Sequence, residues 1–283
     1  QTTTMVHRLA ELALRGVKPA HMRAVMFNKA AQKAFESRLA ATGIDISELR
    51  VQTWHALGFG IVRHLESVGA VARMTLITDG GEILRIVGDC IREEFAERNE
   101  HPDEDDGRDT ESCLEAIREW KSMLVAPKRA GHATDEFLAA VYGRFEKRRK
   151  SQGFRTFDDL ITDAVSALSE SDSRHGLADR FEHLVLDEFQ DVDHAQFRLL
   201  ELLAGTRARV TVVGDDDQSI FRFQGANVEN MLVFMKKFPN IKTIMLTENY
   251  RSIQPILDVS KTLIDKNQER LIHHISGLSK TLL

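Results

Sequence analysis

Positive charge is not in excess in this chain: 38 lysines and arginines face 43 aspartates and glutamates, for a formal net charge of −5. Domains that coat a polyanion through bulk charge usually run strongly basic, so that class is disfavoured, although a local basic groove is not. Cysteine is scarce. Cys90 and Cys113 stand far apart with no CxxC or CxxH companion, which argues against a structural zinc or a disulfide framework and makes a reducing compartment, the cytoplasm, the default. Long apolar runs are missing, as is a charged-then-apolar-then-small N-terminal pattern, so neither a membrane span nor a signal peptide is expected. Internal repeats and low-complexity linkers are lacking too.

What is present suffices for real cores. With 283 residues, 42% hydrophobic and 29% charged, the chain can form one large domain or two smaller ones. Met5, Leu9, Leu12 and Leu14 recur at near-helical spacing, with Gly16 as the stop and Pro19 beyond it. RAVMF (23–27) is a short strand-like run, followed by an alanine-rich helix closed by Gly43, an extended VQTW and an amphipathic ALGFGIVRHL. Strand, helix, strand, helix in that order predicts a parallel sheet. From about Thr78 to Lys150 the pattern changes to long charged helical stretches around the acidic segment 97–111, which is expected as a solvated surface loop in an all-helical insertion. Apolar runs resume at HLVLDE (183–188), RVTVVGD (209–215) and IKTIML (241–246), the first two separated by the helix HAQFRLLELLAG, and QPILDVSKTLIDKNQ is expected as a last helix.

Three constellations carry chemistry. LVLDEFQD (184–191) delivers Asp187 and Glu188 to the carboxyl end of an apolar strand, where open α/β sheets bind ligands. In a nucleotide hydrolase the first such carboxylate holds Mg²⁺ and the second orients and deprotonates the attacking water. Alone, the pair is weak evidence and fits exposed acids at a strand end better. VVGDDDQSIFRFQGAN (212–227) places Gln218 and then Phe221 and Phe223 after three aspartates. That order suits a segment touching phosphate at one end and stacking on bases at the other, or a hairpin with two buried phenylalanines. LTENYRS (246–252) offers the flat face of Tyr250 and the fixed fork of Arg251, suited to a purine ring and a γ-phosphate, although a Tyr-Arg dipeptide alone is uninformative.

In this order and at these separations, DEFQD, GDDDQSIFRFQGA and ENYRS resemble motifs II, III and IV of UvrD/Rep-type superfamily 1 DNA helicases. MFNKAAQKAF resembles motif Ia, VQTWHALG the family's TFHSLG segment, and IREWK, VYGRFEKRR and FRTFDDLI the end of a helical insertion and the return to the core. The resemblance runs over nearly the whole chain. It implies an α/β fold: a RecA-like P-loop NTPase parallel sheet flanked by helices, with an all-helical inserted domain. Core domain 1A would comprise 1–75 and 152–246, insertion 1B 76–151, and an incomplete second RecA-like domain, 2A, 247–283. It further implies an ATP- and Mg²⁺-dependent motor moving 3′ to 5′ on single-stranded DNA and acting at duplex/single-strand junctions, with no membrane partner. Asp187 would hold Mg²⁺, Glu188 would be the base, Gln218 would sense the γ-phosphate, Tyr250 would stack on adenine and Arg251 would reach the γ-phosphate. DNA would meet Phe27, Asn28, Thr53, His55, Phe221 and Phe223. Phe27 also fits a core strand residue, and His55 a helix cap.

The resemblance has departures. Aligned on MVHR, Gln1 falls on the P-loop lysine and Thr2 on the Mg²⁺-binding Thr/Ser of GxxxxGK[ST], with Thr3 beside it, and the loop's glycines would lie upstream. Backbone N–H groups of that loop and its lysine cradle the β- and γ-phosphates. Tight ATP binding is therefore in question for this chain. Gln224 stands where an arginine is usual, and Trp54 where a phenylalanine is. Motifs V and VI do not occur within the sequence, so the chain alone is not expected to unwind DNA. The competing reading is a helicase-derived DNA-binding or scaffold module without nucleotide hydrolysis. An RNA helicase is disfavoured, because those commonly carry DEAD-like sequences.

Overall fold

The computed structural model describes residues 2–45, 47–100, 108–130, 135–170, 177, 180–205, 207–219, 229–238, 240–267 and 270–273. In chain order, α1 (Thr2–Leu14), β1 (Met22–Met26), α2 (Lys29–Ala40), β2 (Arg50–Thr53) and α3 (Trp54–Ser67) come first. A helical stretch follows: β3 (Thr75–Leu76), α4 (Gly80–Arg98), α5 (Thr110–Ser122), α6 (Pro127–Ala130), α7 (Glu136–Gln152) and β4 (Phe154–Arg155). The chain then forms α8 (Phe157–Ser169), β5 (His183–Leu186), α9 (His194–Ala204), β6 (Arg209–Val212), α10 (Glu229–Lys237) and α11 (Gln254–Ile264).

The main sheet has the order β2-β1-β5-β6, and every pairing is parallel. Its inner strands β1 and β5 are mostly apolar, Arg23 and His183 excepted, because helices cover both faces. The two-residue period sorts them. Val25, Leu184 and Leu186 turn toward α3, α8 and α9, in a cluster with Trp54, Ile61, Phe189 and Leu200. Met22, Ala24, Met26 and Val185 turn the other way, onto Met5, Val6 and Leu9 of α1 and Phe35 of α2. The chain between the end of α1 and the start of β1 is short, so α1 runs back along the sheet with its first residues, Thr2 and Thr3, toward the carboxyl edge of the strands. On the other face Gly58 of α3 meets α8 so closely that a Cβ would lie 2.8 Å from the Leu160 carbonyl oxygen.

The helical stretch has its own core, built from Ile83, Val87, Ile117, Phe137, Val141 and Phe145, and both free cysteines, Cys90 and Cys113, are buried in it. β3 and β4 bracket this stretch as a short parallel pair, Thr75 beside Phe154 and Leu76 beside Arg155. The pair lies where the chain leaves and re-enters the α3–α8 layer. The structure differs from expectation at 241–246, which has the apolar content of a strand but forms none. Ile244, Met245 and Leu246 are exposed there, and a parallel strand needs a neighbour to satisfy its backbone. Phe221, Phe223, Gln224 and Gln1 lie outside the described residues, as does 101–107 of the acidic segment. Among the described residues no helix is long and apolar enough to cross a membrane.

Candidate active site

β5 ends at Leu186, and Asp187 extends the ladder by one bond, its N–H donating to the Val25 carbonyl at 3.1 Å. Glu188 then takes the left-handed conformation, φ 48°, ψ 50°, which is uncommon for a residue with a side chain and concentrates at functional sites. The reversal is held because the Phe189 N–H donates to Val213 at 3.0 Å and the Phe189 ring is fully buried. Asp187 is buried, and burial together with adjacent Glu188 pushes its carboxyl above the usual carboxylate range. Two acids are thus held side by side at the carboxyl edge of the sheet.

β6 delivers its loop to the same edge. After Gly214 the Asp215 side chain caps a short 3₁₀ turn, accepting from the Asp217 N–H at 3.2 Å and from Gln218 Nε2 at 2.8 Å. Gln190 spans the two loops. Its Nε2 donates to Glu188 Oε2 at 2.8 Å, and its Oε1 accepts from the Asp215 N–H at 3.0 Å. Gly214 is required by this packing, because a Cβ there would sit 2.8 Å from Gln190 Oε1 and 3.2 Å from the Phe189 nitrogen. On the far side Arg270 grips Asp217 through two bonds of 2.9 and 2.8 Å, and the Leu271 N–H donates to Asp216 at 2.8 Å. Asp187, Glu188 and Gln218 therefore share one edge.

Other expected site residues fall elsewhere or have structural duties. Asn28 caps α2, accepting from the Ala31 N–H at 2.8 Å, and Thr53 caps α3, accepting from the Ala56 N–H at 3.3 Å. The cap of α3 is thus Thr53, and His55 is the second helical residue. Phe27 lies just past β1, half-buried and outside the core clusters. Phe27, Trp54 and His55 line a groove of about 640 Å³ that is also lined by α5, including Glu115, Arg118 and Glu119. His55 meets Phe157 edge-on at 6.0 Å, and burial lowers its pKa against the pull of Asp158. Tyr250 is 90% exposed and donates to Glu248, while Asn249 Oδ1 accepts from the N–H groups of Arg251 and Ser252 at 2.9 Å each. No described contact brings Tyr250 or Arg251 to the β5–β6 edge.

Asp193 also faces the groove and caps α9, accepting from the Gln196 N–H at 2.8 Å. Burial pushes its carboxyl up to about 7, against the helix-start N–H groups that favour its charge. With the folded pKa above the unfolded one, its contribution to stability is complete below about 4, the ordinary carboxylate value, and is lost as pH rises through about 7. Asparagine caps a helix as well as aspartate does. Asp193→Asn is therefore expected to flatten the decline of the urea midpoint across that window; an unaltered pH slope would show that Asp193 is not its source.

Sequence reasoning missed Gln190, Gly214 and Arg270. Of these only the amide in DEFQD and the glycine closing VVG carried a local signal, as polar or small residues directly after buried strands.

Two parallel strands ending in a left-handed Glu188 and a glutamine-bearing aspartate turn narrow the choice, and comparison with known proteins decides it. The family model described as the UvrD/REP helicase N-terminal domain matches residues 1–239. The chain belongs to the UvrD/REP helicase family. It is 33% identical over 283 residues to the ATP-dependent DNA helicase PcrA of Leuconostoc citreum, covering 96% of this chain and 36% of that protein. To the ATP-dependent DNA helicase Rep of Escherichia coli K12 it is 31% identical over 276 residues, covering 94% of this chain and 40% of the relative. To PcrA of Bacillus subtilis 168 the identity is 32% over 278 residues, 95% and 36% respectively. The chain thus spans well under half the length of the relatives it matches. In this UvrD/REP domain the α/β architecture is the expected one: a parallel sheet flanked by helices.

Proposed function

We propose that this chain is the nucleotide-binding front part of an ATP-dependent DNA helicase that translocates 3′ to 5′ on single-stranded DNA in the cytoplasm. Asp187 would hold Mg²⁺ and Glu188 would activate water. Carboxylates are the donors a hard cation prefers, and Asp187, buried beside a second acid, suits one. Thr2 and Thr3, toward the same edge, would help to bind Mg²⁺ and the phosphates together with the residue at Gln1. Gln218 would sense the γ-phosphate. Tyr250 and Arg251 would reach adenine and the γ-phosphate only if their segment moved to the β5–β6 edge, since here Tyr250 faces solvent. ATP supplies the free energy, and the chain's residues position it and steer the water.

Single-stranded DNA and junctions would run over Phe27, Asn28, Thr53 and His55, with Phe221 and Phe223 stacking on bases. The division into 1A (1–75, 152–246), insertion 1B (76–151) and the start of 2A (247–283) is part of this reading, supported by the separate helical core and the β3–β4 bracket. The observation that carries the proposal is the shared edge, where Glu188 and Gln218 are linked through Gln190 and Asp215. In the intact protein, ATP hydrolysis is expected to rise at least tenfold, roughly 1.4 kcal/mol of barrier, on adding single-stranded DNA and much less with RNA. Duplexes with a 3′ tail are expected to open before those with a 5′ tail. Turnover indifferent to DNA would favour the rival reading, a binding or scaffold module.

A further inference from the structure

We infer that Gln190 is a positioning residue that ties the base on β5 to the glutamine turn after β6, completing a hydrogen-bonded chain Glu188–Gln190–Asp215–Gln218. The inference rests on the roles proposed above for Glu188 and Gln218, and adds to them a residue that is 2% exposed.

The left-handed turn at Glu188 is what makes the link: it reverses the chain so that Gln190 reaches across to the β6 loop. A primary amide carries a donor and an acceptor on one rigid plane. Here the partners fix which end is which. A carboxylate can only accept, so Nε2 must face Glu188, at 2.8 Å; a backbone N–H can only donate, so Oε1 must face Asp215, at 3.0 Å. Asp215 then passes the link on through Oδ2, which accepts from Gln218 Nε2 at 2.8 Å. The two loops are held together beside this chain, because the Phe189 N–H donates to the Val213 carbonyl at 3.0 Å and Gly214 packs against the Gln190 amide. A displacement of Gln218 toward a phosphate therefore pulls on Asp215, whose N–H is fixed to the amide that orients the Glu188 carboxylate. Charge-assisted bonds of this kind are about twice as strong as neutral ones, and losing one leaves Glu188 free to rotate away from the water it must deprotonate.

A purely structural staple between two loops would make different predictions. In the intact protein, Gln190→Met keeps the volume and removes the amide. Gln190→Glu is isosteric, keeps the acceptor for Asp215 and places a carboxylate against Glu188, so it serves even where the first variant folds poorly. Both are expected to lower kcat for DNA-stimulated ATP hydrolysis by about 30-fold while KM for ATP moves less than about threefold. Because Gln190 and Gln218 act through the same aspartate, Gln190→Met/Gln218→Ala should fall no further than the worse single variant, within about twofold. Either kcat within about twofold of the parent in both Gln190 variants or fully multiplicative losses in the double variant overturns the proposal. Glu188→Gln is assayed alongside. Full turnover in that variant removes the underlying assignment and this inference with it, whereas an inactive Glu188→Gln beside normal Gln190 variants removes this inference alone.

Discussion

Glu188→Gln is expected to cut ATP turnover of the intact protein by about a thousandfold, within the range a positioned general base contributes, while nucleotide and DNA binding persist. The substitution isolates the base because it spares the packing. Glu188 Oε2 accepts from Gln190 Nε2, and a glutamine at 188 can present its own amide oxygen to the same donor. The left-handed backbone at φ 48° costs a glutamine no more than a glutamate, since neither is β-branched. What disappears is the group able to take a proton from water beside the phosphate. The measurement is kcat with saturating single-stranded DNA, together with ATP affinity by equilibrium binding. Turnover within tenfold of the parent would mean that another group activates the water and that the β5–β6 edge has been misassigned. A loss of ATP binding equal to the loss of rate would instead mark Glu188 as a binding residue.

The end of β5 was legible because this buried parallel strand is an apolar run that stops where acids begin. Leu184, Val185 and Leu186 could hardly be anything else, and Asp187 and Glu188 follow directly. The same rule failed at 241–246, since an apolar run becomes a strand only when a neighbour completes its hydrogen bonds, and sequence does not reveal the neighbour. The caps show a different limit. Asn28 and Thr53 were expected at DNA through the family resemblance, and the structure occupies both in starting helices. A residue can cap and still meet a ligand with its remaining atoms, so the chain's local needs and its function overlap at one position. Gln190 was hidden for a related reason: its importance lies in reaching a loop 25 residues away, and no periodicity encodes that.

Lys121 was hidden most deeply, and Lys121→Met carries the largest expected effect on stability. On α5 it is 3% exposed, yet its ammonium lies 2.6 Å from Asp159 of α8 and 3.1 Å from Glu146 of α7, over the Phe145 ring. Arg149 joins Glu146 at 2.9 Å, Asp159 at 3.2 Å and Asp163 at 2.8 Å, and Arg155 joins Asp163 at 3.3 Å and Glu66 of α3 at 2.6 Å. This network joins the helical stretch to the helices that cover the sheet. Burial alone would raise the Asp159 carboxyl, but Lys121 and Arg149 bring it below the ordinary value, so the tie loosens only as pH falls below the carboxylate range. Removing one partner of such a pair strands the other charge in a dry interior, at a cost of about 3–5 kcal/mol. Arg149 still touches Asp159, which puts the expected loss in urea unfolding near the lower end, about 3 kcal/mol. The exposed pair Arg92–Asp89 provides the contrast, since breaking it should cost under about 1 kcal/mol. Replacing both residues, Lys121→Met with Asp159→Leu, should recover only part of the loss. Asp159 Oδ2 also accepts from the Thr156 N–H at 2.7 Å and its hydroxyl at 2.9 Å at the start of α8, and leucine cannot replace those bonds. A Lys121→Met protein as stable as the parent would mean that the charges are solvated, and that the helical stretch is held to the sheet layer by apolar packing alone.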